Sequence, residues 1–351
     1  MADVVELSAG NILSAAEDLL AKRRLDAALC RFQEAEATGA DPDACAAGRW
    51  QVHMLRGDFA AAWEESRIVR EGGKVQENCL WRGEDVRGKR VMVRCLHGLG
   101  DAVQFFRYAP QLEALAESVV WEVPPEILQL APYFRGVKRA VTWGEGRPAT
   151  EDWDVQIEIM ELPWLFQTRL TDLPIATNYL RLPRKLADSV HAGMGTASMP
   201  RIGLVWAAGE WNRARSIAPE LFSQILETGG CEFWNMQGGP AQRFAAHDKL
   251  RDTKLCHSGV LALASVIEQF DLVITVDTLA AHLAGALGVE AWVMLQYAAD
   301  WRWMIERDDS PWYPSLRLFR QPTPGNWAAV LHAVRYALQE WLESDAEEEA
   351  A

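Results

Sequence analysis

The six cysteines, Cys30, Cys45, Cys79, Cys95, Cys231 and Cys256, include no CxxC pair, which excludes the usual zinc and disulfide frameworks and fits reduced, mostly buried thiols. Basic charge is short: 35 Lys and Arg stand against 49 Asp and Glu, for a net charge of -14. General binding to nucleic acid or to an anionic membrane needs basic surface, so neither is expected. Part of the excess, Glu343, Asp345, Glu347, Glu348 and Glu349, reads as a solvated acidic end with 346–351 as its tail. No run of about 18 apolar residues is present to span a bilayer, and the N-terminal MADVVELSAG lacks the basic and apolar regions of a secretory signal. These absences lead to the expectation of a cytoplasmic protein with no transmembrane segment. What is present is the material of a globular chain: 351 residues, 49% hydrophobic, with sixteen tryptophans, enough for two or three domains with substantial cores.

Residues 12 to 71 carry a repeat. Leu20, Leu25, Ala28 and Ala35 recur at an offset of 34 as Met54, Phe59, Ala62 and Val69, all apolar, with Pro42 between the copies and Gly57 at a turn. A period of 34 resembles tetratricopeptide repeats, which pack as antiparallel helix pairs. Two copies bury little surface alone, so this region, assigned to 1–80, is expected to lean on the rest of the chain or on a homodimer partner. It reads as a helical cap or as a peptide-binding or dimerisation arm.

Beyond it the pattern becomes that of a parallel α/β sheet. KRVMVRC reads as a strand, GLGD as a turn, AVQFFRYAPQL as a helix and SVVWEV as a strand, within a first domain assigned to 81–183. A second series, assigned to 201–345, runs IGLVW, PELFSQILET, EFWNM, VLALASVIEQF, DLVITV, an Ala-rich helix, AWVMLQ and a final helix. Residues 184–200, rich in small residues and Gly, read as the linker. Two α/β domains place a ligand beyond the carboxyl ends of their strands.

Three strand-end loops carry suitable side chains. In HGLGDAVQ, Gly98 and Gly100 let the backbone turn sharply and approach a ligand, Asp101 can cap the next helix or take a proton from an acceptor hydroxyl, and Gln104 follows. In WAAGEWNRARSI, Arg213, Arg215 and Ser216 could neutralise a diphosphate. In ITVDTLAAHLAGALG, Asp277 or Thr278 can cap a small-residue helix whose unpaired N–H groups would receive an anion, with His282 one turn inside. Gln296, Tyr297 and Asp300 follow the strand AWVMLQ as further pocket candidates, while Trp301, Trp303, Trp312 and Tyr313 could wall a nucleotide or pack a domain edge, packing having the larger share for the last two.

RCLHGLGDAVQFFRYAP, IGLVWAAGEWNRARSI, DLVITVDTLAAHLAGALG and DWRWMIERDDSPWYPSLRLFRQ, in that order after the helical repeat, resemble the tetratricopeptide-linked relatives of glycosyltransferase family 9, the bacterial heptosyltransferases. The resemblance implies a GT-B fold, two Rossmann-like domains preceded by a short all-α region, and inverting transfer without a metal or other cofactor, the nucleotide-sugar being a co-substrate. It puts the general base on Asp101. The donor diphosphate falls on Thr278, Leu279, Ala280 and His282, with Arg213 and Arg215 as phosphate partners. Leu279 stands where heptosyltransferases carry Gly, which weakens the link to heptose; the relatives that carry helical repeats include enzymes that glycosylate proteins, so lipopolysaccharide is not the default acceptor and a protein or glycan hydroxyl is expected. The alternative is a non-catalytic nucleotide-sugar or protein-binding module on the same scaffold.

Overall fold

The computed structural model describes residues 8–71, 81, 83–143, 153–174, 178–244 and 248–350, which form two compact units. The first lies within Met1–Asp85, Glu161–Leu173 and Ala298–Arg307. Its helices α1 (Ala9–Ala21), α2 (Leu25–Ala37), α3 (Pro42–Arg56) and α4 (Phe59–Glu71) follow the sequence punctuation. Asp41 caps α3 with Pro42 in its first turn, and Gly57 ends it at φ 77, a left-handed conformation that a side chain would strain. The repeat positions Leu20, Leu25, Ala28, Ala35, Met54, Phe59 and Ala62 are all buried; the side chain of Val69 lies outside the described residues. Arg49 binds Glu65 through two hydrogen bonds of 2.8 and 2.9 Å and Glu36 at 2.6 Å, joining α2, α3 and α4. Residues 161–173 and 298–307 complete this unit: the Trp63 indole donates to the Thr168 carbonyl at 2.8 Å, and Trp301 packs edge-on against Trp50 at 5.4 Å.

The second unit holds two parallel sheets. The first, ordered β3-β2-β1-β4, comprises β1 (Arg90–Arg94), β2 (Ser118–Val123), β3 (Ala140–Thr142) and β4 (Val155–Glu158). The second is ordered β10-β9-β8-β5-β6-β7, with β5 (Arg201–Val205), β6 (Glu232–Asn235), β7 (Leu250–Asp252), β8 (Leu272–Val276), β9 (Ala291–Leu295) and β10 (Leu316–Arg320). Read from β7, this is the dinucleotide-binding order, with its reversal between β5 and β8. Strands β5, β8 and β9 are buried throughout, which is why each is mostly apolar in the sequence.

Three elements differ from the sequence expectation. The helix expected over AVQFFRYAPQL is broken into α5 (Leu99–Phe105), a 3-10 turn at Phe106–Tyr108 and a helix at Ala109–Leu115, because Pro110 lacks the N–H that would continue the first segment. The stretch read as a linker contains an eleven-residue helix, Arg184–Met194, with Val190 and Met194 buried. The final helix, Trp327–Ala350, also runs into the acidic end.

The two sheets are joined by buried polar contacts around Arg107, which is fully buried after α5. Its guanidinium donates to the Trp312 carbonyl at 2.7 Å, and its cation lies 4.7 to 5.3 Å from the ring centroids of Tyr179, Trp312 and Tyr313. Among the described residues no helix is long and apolar enough to cross a membrane. Five of the six cysteines are described and free, Cys45, Cys95 and Cys256 being buried; Cys79 lies outside the described residues. Burial pushes the thiols of Cys231 and Cys256 up to about 11, away from reactive thiolates.

Candidate active site at the two switch points

Ligands of open parallel sheets lie beyond the carboxyl ends of the strands, where the strand order reverses. In the second sheet that point is flanked by the loops after β5 and β8. The loop after β5 closes on itself: the Ser216 hydroxyl accepts the Ala208 N–H at 3.0 Å, and the Ile217 N–H donates to the Trp206 carbonyl at 2.9 Å. Gln237, just past β6, holds the loop from the side. Its Oε1 accepts the N–H groups of Trp206 and Ala207 at 3.0 and 2.8 Å, while Nε2 donates to the carbonyls of Ala207 and Gly238 at 3.1 and 2.9 Å. Arg215 then crosses to the loop after β8, where Nη1 donates to the Asp277 carbonyl at 3.1 Å and sits 3.7 Å from Oδ2. Arg213 stays outside, 79% exposed and 3.5 Å from Glu210.

Of the two candidate caps for the following helix, Leu279–Leu287, the structure selects Thr278. Its hydroxyl accepts the Ala280 N–H at 3.3 Å. Asp277 is buried and engaged with Arg215 instead, so it shapes the junction without capping it. Leu279 and Ala280 open the helix, whose N-terminus carries partial positive charge.

The first sheet reverses between β1 and β4. After β1, the Gly98 N–H donates to Asp101 Oδ2 at 2.9 Å, so Asp101 does cap its own helix. Gln104, grouped with this turn in the sequence, lies inside α5 with its side chain fully buried, and it therefore packs the helix and does not line the turn. His282, assigned in the sequence to the donor phosphate, lies buried within the Leu279–Leu287 helix. Its ring is buried against Gly100, where an added Cβ would stand 2.6 Å from Cδ2, and Nδ1 lies 3.0 Å from the Tyr313 hydroxyl. The close approach requires glycine at position 100, and it brings the α5 turn and the helix after β8 together.

The fourth cluster divides. Gln296 and Tyr297 are half-buried just past β9, with the Tyr297 N–H donating to Gln321 Oε1 at 3.1 Å. Asp300, Trp301 and Trp303 belong to the helical unit, Asp300 accepting the Arg302 N–H at 3.1 Å. Trp312 and Tyr313 are fully buried, as packing residues are.

One residue escaped the sequence reading. Glu158 ends β4 and is only 4% exposed. Burial pushes its carboxyl up to about 7 against the pull of backbone N–H groups, with the charge of Asp101 adding to the rise. The available signal was an acid inside the alternating apolar run VQIEI.

With this geometry, comparison places the fold. A Veillonella parvula glycosyl transferase of family 9 superposes with a TM-score of 0.54 at 14% identity, covering 74% of this chain and 99% of that one. Escherichia coli ADP-heptose LPS heptosyltransferase II gives 0.54 at 12% identity, covering 73% and 99%. The fold is that of the family 9 glycosyltransferases. No family model matches the sequence. Protein FlbA of Caulobacter vibrioides is 28% identical over 365 aligned positions, taking in 91% of this chain. The chain spans 59% of the length of FlbA.

Proposed function

We propose that this GT-B chain is a glycosyltransferase that moves a sugar from a nucleotide-sugar donor to a hydroxyl on a protein or glycan acceptor, with inversion and without a metal, in the cytoplasm. The observation that carries the reading is the packing of His282 on Gly100, which sets a carboxylate-bearing turn beside an anion-binding helix mouth. Asp101 removes the proton of the acceptor hydroxyl as its oxygen attacks the anomeric carbon from the face opposite the leaving group. The bond from that carbon to the diphosphate breaks, and the electron pair leaves with the nucleoside diphosphate. Arg215, Arg213 and the N–H groups at Leu279 and Ala280 meet the released charge. Gln296 and Tyr297 belong to the donor side; Gly98 and Gly100 shape the acceptor side. The ADP-heptose named for one fold neighbour makes a nucleotide-linked heptose the first donor to try, with nucleotide-linked hexoses next. The helical repeat serves as the acceptor-protein or homodimer surface.

A second reading is favoured by one observation, the hydrogen bond from the Gly98 N–H to Asp101 Oδ2. An aspartate used only as a cap suits a non-catalytic binding module. Asp101→Asn separates the two, because the Asn amide oxygen can still accept the Gly98 N–H but the amide cannot take the proton. As an enzyme, the variant keeps nucleotide binding and loses transfer by about 10² to 10⁴, measured as sugar incorporated from a panel of ADP-, UDP-, GDP- and CMP-sugars. Turnover equal to the unaltered protein removes Asp101 from the mechanism.

A further inference from the structure

The register between β5 and β6 ends with Leu204 beside Asn235, and just past it the Met236 N–H donates to the Leu204 carbonyl at 3.1 Å. Beyond that point a side chain takes over from the main chain. Gln237 is 4% exposed, and its own N–H donates to Asn235 Oδ1 at 2.8 Å. A glutamine amide offers two acceptor lone pairs and two N–H donors. All four are used here, Oε1 on the N–H groups of Trp206 and Ala207 and Nε2 on the carbonyls of Ala207 and Gly238. Two N–H groups meet one end of the amide and two carbonyls the other, so only one orientation of the group satisfies the network. Neither a carboxylate nor a hydroxyl could replace it in full. With its capacity taken up by the main chain, Gln237 has no donor or acceptor left for a ligand.

What it holds is the stem of the loop that carries Arg215. The Ala208 N–H, next along the chain, donates to the Ser216 hydroxyl at 3.0 Å, and the Ile217 N–H donates to the Trp206 carbonyl at 2.9 Å. The two ends of the 206–217 loop are thus tied together at the stem that Gln237 grips. Arg215 is the residue just before this tie, and from there its guanidinium reaches the Asp277 carbonyl at 3.1 Å. We propose that Gln237 is a positioning residue for Arg215: its saturated amide fixes the stem so that Arg215 stands in place for a diphosphate before the nucleotide arrives. The inference deepens the sugar-transfer reading and rests on the diphosphate site that this reading puts beside Arg215. A site formed in advance loses less binding energy to the ordering of loops and long side chains, so the consequence is read in affinity.

A double-mutant cycle tests this, read by calorimetry with ADP, UDP and GDP in turn. For the nucleotide that binds, Gln237→Met, which keeps about the same length and volume but makes none of the four bonds, should lower affinity about tenfold. In a chain that already carries Arg215→Ala, the same substitution should cost no more than about twofold, because the stem then has no guanidinium to place. Unchanged affinity in Gln237→Met, or a tenfold loss repeated in full beside Arg215→Ala, overturns the proposal. A purely structural Gln237 would lower the midpoint of chemical denaturation and leave the affinity of the folded protein as it was, so the cycle separates the two roles. If Gln237→Met does not fold, hydrogen exchange in the unaltered, nucleotide-free protein decides. The Trp206 and Ala207 amides should exchange at least about a hundredfold more slowly than unprotected amides; exchange at the unprotected rate means that the stem is not held in advance and overturns the proposal. Failure of the unaltered protein to bind any of the three nucleotides would defeat the donor-site reading, and the positioning role with it, whereas normal binding with Gln237→Met unaffected defeats the positioning role alone.

Discussion

The two sheets share the order of their four central and outer strands, β3-β2-β1-β4 in one and β7-β6-β5-β8 in the other, yet their switch points hold charge in opposite ways. At the first, carboxylates are held by backbone N–H groups: Asp101 by Gly98 and Glu158 by Met160. At the second, a guanidinium is held by oxygens: Arg215 by the carbonyl and carboxylate of Asp277. Topology supplies a crevice at both places, and the side chains at the strand ends decide what each can do. The first arrangement can receive a proton; the second can receive an anion.

The largest test of that contrast beyond Asp101 itself is Arg215→Ala. At 3.7 Å the contact with the Asp277 carboxylate is an ion pair without a direct hydrogen bond, and a phosphate oxygen at about 2.8 Å would be the better acceptor. Removing a buried charge-assisted partner should weaken nucleoside diphosphate binding by about 1.5 to 3 kcal/mol, roughly ten- to a hundredfold, read by calorimetry with ADP, UDP and GDP in turn. Affinity unchanged for the nucleotide that binds would mean that the second switch point holds Arg215 for structure alone.

Next in size is Gly100→Ala, which attacks the place where the two switch points meet. The added methyl would stand 2.6 Å from Cδ2 and 3.1 Å from Nε2 of His282, a buried ring already fixed by the Tyr313 hydroxyl. Overpacking of this kind costs about 1 to 3 kcal/mol, measurable by chemical denaturation. A variant as stable as the unaltered protein would show that the two turns separate freely.

Much of this contrast was legible in the sequence, and the parts that were not have physical reasons. Strands β5, β8 and β9 are mostly apolar because both faces are covered, and so their ends, with Arg215, Asp277 and Thr278, could be located closely. The period of 34 showed through the small and apolar residues that fill the helical core, from Ala28 to Ala62. Strand β4 did not, because VQIE mixes polar and apolar residues, and with it went Glu158. The helix Arg184–Met194 hid behind its glycines, although Leu186, Val190 and Met194 recur every four residues, the spacing of one helical face. Trp301 was open between walling a nucleotide and packing an edge: its partner Trp50 is 251 positions distant, and no local pattern announces such a contact. His282 was correctly placed on its helix, but the direction of its ring depended on Gly100 and Tyr313, both remote in sequence.

Arg213 and Arg215 give the finest form of the comparison, since they lie two residues apart on one loop and the sequence offers no way to rank them. Arg215 is 13% exposed and bridges two strand-end loops; Arg213 is 79% exposed beside Glu210. A solvated arginine is screened by salt and spends side-chain entropy on any contact it makes, so exposed pairs are worth about 0 to 1 kcal/mol. Arg213→Ala should therefore weaken nucleoside diphosphate binding by no more than about fivefold at low salt, with the deficit vanishing near 0.5 M salt as the Debye length falls to about 4 Å. The Arg215→Ala deficit should largely persist there. If Arg213→Ala instead matched Arg215→Ala at both salt concentrations, the loop would have to close over the diphosphate and bury Arg213, and the β5 loop, now held by Gln237 and Ser216, would be the part of the second switch point that moves.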